Sequence, residues 1–499
     1  MSTVPMPPIL ATPSSRATTR PKAHGRCVIA RSWCVTWCLL ALSLVLPGSA
    51  GASPLSLGYF DQVFTTATEE RTPWLDRAVG SGADVLRIDI GWAELTAPTP
   101  PADANDPADP AYDFRKADDA IIDAKGRGLR VVVSFARAPT WAEGPGRPAT
   151  AVPGSWKPDP AAIGRYGTAL ARRYSGTYPD PARPGRKLPR VDAFQLWNEP
   201  NLTEYLSPQW INRRTFAPIH YRLMLNAFYR GVKGTGSTAR VVTGGTAPYG
   251  DAFDFARGQR IRPARFLREM LCLSEIKGRL RGTSCPDPAR FDVLSHHPYS
   301  IGAPRRAADH PDDVSIPDLG KLNRLLRAAE RSGRVFPRIR HRLWVTEVSY
   351  DSAPPDSNGV PLIRHARWLQ ETLYLLWRQG VDTILWFQVR DAPTDDTQAL
   401  NQSGTYFRGG APKPAALGLL FPFVAEQAAP GVLRIWGRAP KSGPVRIQKG
   451  TPKGWRTVRT VPGTRHGVFL ARIPARGPTR LRARNAGHTS LTWTSNPPR

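Results

Sequence analysis

The chain has 499 residues, of which 41% are hydrophobic, so it is long enough for a large core and for more than one domain. Its formal net charge is +29. The basic residues are scattered and no nucleic-acid-binding motif is present, which argues against a nucleic-acid partner. The positive charge is either a compositional bias or a functional feature that attracts an acidic polysaccharide or an anionic cell wall.

Residues 1–52 have the pattern of a secretory signal peptide. Five basic residues and no acidic ones precede an apolar run at 33–46, and the small residues Ala50-Gly-Ala52 follow. A membrane anchor is the alternative, but the run is shorter than the ~20 residues that a spanning helix needs. No later segment is long and apolar enough to span a bilayer. We therefore expect a secreted, extracellular protein without a stable membrane span in the mature chain.

Apolar runs with strand character recur along the next part of the chain, and helical patterns follow most of them. The predicted strands are 55–62, 85–92, 129–136, 191–198, 241–246, 291–300, 343–349 and 382–389. The predicted helices are 113–127, 160–174, 215–233, 263–273, 316–332 and 362–379. Strand–helix alternation over eight strands predicts an α/β fold of the (β/α)8 TIM-barrel type, which we place at residues 53–428.

Two cysteines remain once the signal segment, with Cys27, Cys34 and Cys38, is removed. These are Cys272 and Cys285. An even count in an exported chain predicts one disulfide that closes a short loop, and two unpaired thiols are the alternative.

The tail, residues 431–499, differs from the rest of the chain. It contains fifteen Lys or Arg residues and no Asp or Glu, and short alternating runs are separated by Gly and Pro. This pattern predicts a small C-terminal all-β sandwich domain. The domain is either a structural cap on the barrel or a module that binds glycan or cell wall, and the second role is favoured by the charge and by Trp436, Trp455 and Trp493.

Two glutamates each close one of the apolar runs. Glu199 follows Phe194-Gln-Leu-Trp-Asn198 on the fourth predicted strand, and Glu347 follows Leu343-Trp-Val-Thr346 on the seventh. Active sites of such barrels lie at the C-terminal ends of the strands, where these two strands face each other across the mouth. A carboxylate pair about 5–5.5 Å apart supplies the acid and the nucleophile of a retaining glycosidase.

The segment Trp197-Asn-Glu-Pro-Asn-Leu202, together with Thr346-Glu347, resembles the catalytic motifs of clan A glycoside hydrolases. It is most similar to the family of β-xylosidases and α-iduronidases, and the cellulase-like families of the clan are also similar. The resemblance covers residues 55–425 and does not reach the tail. It implies that Glu199 is the acid/base and Glu347 the nucleophile of a double displacement that needs no metal and no cofactor. We expect the ionised Glu347 to raise the pKa of Glu199.

The resemblance also implies supporting residues. Asn198 would hydrogen-bond the sugar 2-hydroxyl, and Tyr299 in His297-Pro-Tyr299 would orient the nucleophile. Arg87 matches an arginine near the nucleophile, with a structural salt bridge as the alternative. Trp386 would stack on the sugar, with core packing as the alternative.

Trp141 and the pair His296 and His297 are open to more than one interpretation. Trp141, in Ala138-Pro-Thr-Trp141, is either a subsite residue or a packing residue. His296 and His297 could indicate a metal, but no second cluster has ligand spacing, so no metal site is predicted.

The predicted function is a secreted retaining glycoside hydrolase that cleaves O-glycosidic bonds, β bonds above all, in poly- or oligosaccharides. A carbohydrate substrate is the expected partner. A non-catalytic glycan- or cell-wall-binding protein on a barrel scaffold and a transglycosylase using the same residues are the alternatives.

Overall fold

The structure is a computed structural model that describes residues 53–251, 260–393 and 401–495. The predicted signal peptide at 1–52 lies outside the described residues. The barrel strands are β1 (Ser56–Phe60), β2 (Val85–Asp89), β3 (Arg130–Phe135), β4 (Ala193–Leu196), β5 (Arg240–Thr243), β6 (Val293–His296), β7 (Arg342–Val348) and β8 (Val381–Phe387). They pair in parallel in sequence order, and β8 closes the ring on β1. The predicted (β/α)8 barrel is therefore confirmed.

Eight helices surround the barrel in the described residues. They are α1 (Thr68–Gly80), α2 (Arg115–Gly126), α3 (Pro160–Arg173), α4 (Ala217–Gly234), α5 (Pro263–Met270), α6 (Gly320–Arg331), α7 (Leu362–Arg378) and α8 (Pro414–Leu420). The sequence patterns predict six of them and miss α1 and α8. None of the helices in the described parts of the chain has the length and apolar character required to cross a bilayer.

The period-two alternation of the strands separates two sets of buried side chains. One set fills the inside of the barrel and consists of Val85, Val132, Ala193, Val242, Val293, Trp344 and Leu385. The alternate residues, such as Leu86 and Leu196, belong to the larger core between the strands and the helices. Polar side chains lie at the C-terminal mouth of the barrel, on top of this apolar interior layer.

The C-terminal part of the chain forms two antiparallel sheets. Its strands are β9 (Phe423–Ala429), β10 (Val432–Arg438), β11 (Gly443–Thr451), β12 (Gly454–Gly463), β13 (Val468–Pro474), β14 (Thr479–Asn485), β15 (His488–Thr489) and β16 (Trp493–Ser495). One sheet has the order β9-β10-β13, and the other has β12-β11-β14-β15 with β16 also paired to β14. We expected the all-β segment to begin at residue 431, but its first strand, β9, precedes that residue.

Buried contacts join these sheets to the barrel. Arg438 is fully buried and donates hydrogen bonds to the carbonyl oxygens of Leu55 and Gly82. The Trp436 ring packs 5.5 Å from the ring of Tyr374 in α7. A charged side chain is almost never fully buried without partners. Because the partners of Arg438 lie at the start of the barrel, its hydrogen bonds anchor the C-terminal sheets there.

Short two-stranded ribbons decorate the loops of the barrel. They are Trp210–Ile211 with Arg214–Thr215, Leu273–Ile276 with Arg279–Gly282, Ala289–Arg290 with Val335–Phe336, and Ser352–Ala353 with Val360–Pro361. The second ribbon lies between Cys272 and Cys285, which form a disulfide with a Cα–Cα distance of 5.8 Å.

Candidate active site

A sharp turn at the end of β4 places Glu199 over the barrel mouth. Trp197 and Glu199 both adopt left-handed backbone conformations, with φ of 72° and 36°. Such conformations are unfavourable for residues other than glycine and concentrate at functional sites. The Glu199 backbone N–H donates to the carbonyl oxygen of Gly245 (3.0 Å), which holds the turn against the end of β5.

Glu347 lies near the end of β7, and its carboxylate is held by two side chains. The Tyr299 hydroxyl donates to Oε1 (2.6 Å), and Nη1 of Arg87 lies 3.5 Å from Oε2. Burial and the Glu347 charge raise the pKa of Tyr299 well above its usual value, so the phenol keeps its proton and remains a donor. Both contacts hold the Glu347 side chain in one fixed orientation.

Arg87 connects the two halves of the site. Its side chain is buried, donates through Nε to Ser134 (2.8 Å) and through Nη2 to Oδ1 of Asn198 (3.0 Å). The guanidinium also lies 4.0 Å from the centre of the Phe60 ring. Because Oδ1 of Asn198 accepts from Arg87, its Nδ2 faces the cleft, and the described residues give that nitrogen no hydrogen-bond partner.

His297 lies beneath the two glutamates. Nδ1 is 3.0 Å from Oε1 of Glu199, and Nε2 is 3.0 Å from the Thr346 hydroxyl. Burial lowers the pKa of His297 to about 4, so the ring is neutral at ordinary pH. A Cβ atom on residue 245 would come within 2.1 Å of Nε2 of this ring, so Gly245 is required for the imidazole to occupy its place.

The protonation state of Glu199 follows from its surroundings. Burial raises the pKa of Glu199 to about 7, Arg87 opposes this shift, and the charge of Glu204 adds to it. We expected the charge of Glu347 to be the cause, but loss of hydration is the largest contribution. A carboxyl group with this pKa is substantially protonated at neutral pH and can act as an acid.

The separation of the charged groups restricts the chemistry. One oxygen of Glu199, one nitrogen of His297 and one oxygen of Glu347 all lie within 4.8 Å of one another. Such a set could in principle ligate a cation, but the Arg87 guanidinium lies beside Glu347 and opposes a second positive charge there. The spacing instead suits a pair of carboxyl groups that act on one bond.

These groups open into a cleft of about 380 Å³ at the C-terminal end of the barrel. Its lining residues are Phe60, Gln62, Thr65, Arg87, Asp89, Gly91, Ala93, Glu94, Ala136, Arg137, Asn198, Glu199, Tyr205, Glu347 and Phe387. Of the residues predicted from the sequence, Asn198, Glu199, Arg87 and Glu347 line it, and Tyr299 and His297 support it from below.

Several lining residues were not predicted. Phe60 and Phe387 end β1 and β8, and their rings stack with centroids 5.4 Å apart. Asp89 follows Arg87 by two residues on β2 and therefore points to the same face. A strict count of the strand alternation from Arg87 could have identified Asp89, whereas Tyr205 and Arg137 come from loops that carry no such pattern.

Trp386 does not occupy the predicted place. Its side chain is fully buried, donates through Nε1 to the Ser403 carbonyl oxygen (2.9 Å) and packs 5.8 Å from the ring of His365. Successive strand residues point to opposite faces, so Trp386 faces the helices and Phe387 faces the cleft. The proposed sugar-stacking role of Trp386 was wrong because it was assigned one residue out of phase.

Trp141 and His296 also lie outside the cleft. Trp141 donates to the Ala97 carbonyl oxygen (3.4 Å), packs edge-on against Trp92, and lines a separate hollow of about 420 Å³. His296 is buried between the Thr246 hydroxyl (2.8 Å) and the Val314 carbonyl oxygen (2.8 Å). Burial lowers its pKa to about 3. Both residues have structural partners that account for them.

The fold and the site together define a (β/α)8 barrel with two carboxyl groups close together at the carboxyl ends of β4 and β7. Among solved structures, the chain is similar to a family 39 glycoside hydrolase from the gut symbiont Bacteroides cellulosilyticus WH2. The match has 17% identity and a TM-score of 0.51, and it covers 84% of this chain and 81% of that one. At this identity the similarity establishes a shared fold.

Two other solved structures match with lower scores. A glucosidase from Croceicoccus marinus has 13% identity and a TM-score of 0.48, over 85% of this chain and 94% of that one. A protein described as GH5_18 from Streptomyces cattleya has 17% identity and a TM-score of 0.46, over 74% and 79% of the two chains. No protein-family model and no curated protein matches the sequence.

Proposed function

We propose that this protein is a retaining glycoside hydrolase that cleaves β-glycosidic bonds in poly- or oligosaccharides. The observation that carries the proposal is that one carboxyl oxygen of Glu199 and one of Glu347 lie within 4.8 Å of each other at the mouth of the barrel. Retaining enzymes hold their two carboxyl groups about 5–5.5 Å apart, whereas inverting enzymes need roughly 6.5–9.5 Å to admit a water molecule. The shared fold with a family 39 glycoside hydrolase is consistent with the same chemistry.

In the first step, Glu347 attacks the anomeric carbon while Glu199 donates its proton to the leaving oxygen. Tyr299 and Arg87 hold the attacking carboxylate in place, and neutral His297 supports the Glu199 carboxyl. The anomeric carbon is then bonded to Glu347 as an ester. Formation of the ester removes the negative charge of Glu347, and Glu199 has become a carboxylate.

In the second step, Glu199 accepts a proton from water, and the water oxygen displaces Glu347 from the sugar. The Nδ2 of Asn198 is placed to donate to the sugar 2-hydroxyl, a contact that strengthens as charge develops on the ring. Two inversions at one carbon restore the original configuration, and both catalytic groups return to their starting protonation states.

The proposal is tested by product stereochemistry. A panel of aryl β-glycosides is incubated with the protein, and proton NMR follows the anomer that forms before mutarotation. We expect the β anomer first from every substrate that reacts. Initial appearance of the α anomer would exclude a double displacement, and product chromatography of the same samples would distinguish hydrolysis from transfer to a second sugar.

We also propose that the protein is exported and that residues 1–52 are removed. The proposal is supported by the basic, apolar and small-residue regions of that segment and by the disulfide between Cys272 and Cys285. N-terminal sequencing of protein collected from the culture medium should begin near Ser53. Retention of the intact chain in the cells would contradict export.

The two adjacent aromatic residues at the end of β8 should have separable effects. Phe387→Ala removes a cleft-facing ring, so we expect KM to rise about 2- to 10-fold, the equivalent of ~0.5–1.5 kcal/mol of aromatic contact. Trp386→Ala empties a core position and should lower stability by about 3–5 kcal/mol. Steady-state kinetics and thermal unfolding of both variants check the assignment, and a rise in KM confined to Trp386→Ala would contradict it.

A further inference from the structure

One face of the sheet β12-β11-β14 carries a row of arginines that the proposed catalytic mechanism does not use. Arg480, Arg482 and Arg484 alternate along β14 with the buried residues Leu481 and Ala483. Side chains two residues apart on a strand share a face, so the three guanidinium groups point away from the core. Arg446 on β11 is directly opposite Arg484 in the strand register. We call these four residues the arginine ladder.

The ladder has no acidic partner among the residues that the structure describes. Residues 431–499 contain no Asp or Glu, and no residue in the described part of the chain forms an ion pair with any of the four arginines. Arg482 donates to Oε1 of Gln448 (2.9 Å), which leaves its charge uncompensated. Like charges directly opposite each other on a sheet are destabilising, so this arrangement is unfavourable for the fold alone.

Two features next to the ladder suit a ligand. Arg446 and Arg484 line a hollow of about 250 Å³ together with residues 442–444 and 485–487. Further along the row, Trp455 packs against the guanidinium groups of Arg482 and Arg480, with distances of 4.2 Å and 5.6 Å from its ring centroid to Cζ. Trp436 and Trp493 are buried, so Trp455 is the tryptophan of this C-terminal region that reaches the surface.

We propose that the arginine ladder binds an acidic polysaccharide that carries carboxylate groups. Arginine forms paired, parallel hydrogen bonds with carboxylates, and a row of guanidinium groups can engage successive sugar units of one chain. The small hollow between Arg446 and Arg484 accepts one pendant anionic group. The choice of a polysaccharide over another polyanion rests on the proposed function of the barrel, to which the sheet is joined.

The test measures equilibrium binding of polygalacturonate to the full chain carrying Glu347→Gln, by affinity electrophoresis at about 0.15 M salt, where the screening length is ~8 Å. The ladder variant carries Arg446→Gln, Arg482→Gln and Arg484→Gln. A matched control variant carries Arg186→Gln, Arg340→Gln and Arg364→Gln, three exposed barrel residues, so the change in net charge is the same.

We expect the ladder variant to bind polygalacturonate at least tenfold more weakly and the control variant less than twofold more weakly, with no binding of neutral dextran by either. Equal losses in the two variants would show that net charge alone causes binding and would overturn the proposal. Tighter binding of duplex DNA than of polygalacturonate, lost in the ladder variant, would also overturn it. Arg484→Gln alone repeats the comparison if the triple variant does not fold.

Because binding is measured with Glu347→Gln, it does not depend on catalysis. If the unmodified protein hydrolyses aryl glycosides but Glu347→Gln with its four ladder arginines intact does not bind polygalacturonate, the ladder proposal alone is refuted. If the protein binds polygalacturonate through the ladder but does not hydrolyse glycosides with Glu347 intact, the proposed function alone is refuted.

Discussion

Glu347→Gln should lower kcat/KM on aryl β-glycosides by roughly 10⁴-fold or more, because removal of a nucleophile from a concerted catalytic set abolishes most of its effect. Glutamine preserves the volume of the side chain and can still accept from Tyr299. The fold should therefore be unchanged, and the loss should appear in kcat. Initial rates on the best substrate of the panel, with thermal unfolding of the same samples, provide the measurement.

A small anion can separate the role of Glu347 from a general loss of activity. In Glu347→Gly, azide can occupy the space of the missing carboxylate and attack the anomeric carbon once, so the expected product is the α-glycosyl azide. Glu275→Gln, on the ribbon held by the disulfide, is a matched control that should retain full activity. Unchanged kcat in Glu347→Gln would remove Glu347 from the mechanism.

The barrel was predictable because its signals are local and repeated. Each strand is an apolar run with turn residues at its ends, and eight such runs separated by helical patterns allow few other folds. The missed helices show the limit of this approach. In α1, Pro73 and a cluster of charged residues interrupt the amphipathic pattern, and α8 has only 7 residues, too few for a period to be recognised.

The central residues of the site could also be predicted, because both glutamates are charged residues at the ends of buried strands. Their neighbours depended on the phase of each strand. The aromatic residue that faces the cleft from β8 is Phe387, and the more conspicuous Trp386 faces the helices. A shift of one residue reverses the face of a strand side chain, and the apolar residues Ile384 to Phe387 do not reveal that phase.

The cause of the raised pKa of Glu199 could not be predicted from the sequence, for a different reason. Spacing along the chain indicates which charges can meet, and it predicted the Glu199–Glu347 pair. It does not indicate how much water each carboxyl group loses. In the structure burial raises the pKa of Glu199 more than any neighbouring charge does. Burial of this kind depends on side chains such as Tyr205 that come from loops.

Glu199→Gln should have an effect that depends on the leaving group. A glycoside with a poor leaving group needs the proton of Glu199, so its kcat/KM should fall by about 10²–10⁴-fold. Dinitrophenyl glycosides leave without protonation, so their first step should be nearly unchanged and the ester on Glu347 should accumulate as a burst. Azide should accelerate its breakdown and give the β-glycosyl azide, the opposite anomer to that expected from Glu347→Gly.

The pH dependence supplies the second part of this prediction. Glu199 must be protonated to donate, and burial raises its pKa to about 7. For glycosides with poor leaving groups, kcat/KM should therefore be full below that pH and fall as pH rises through it, approaching tenfold per pH unit. Glutamine does not titrate, so this alkaline decline should disappear from the residual activity of Glu199→Gln on the same glycosides with poor leaving groups. If the same decline persists in that variant, another group must supply the proton, because residue 199 no longer titrates there.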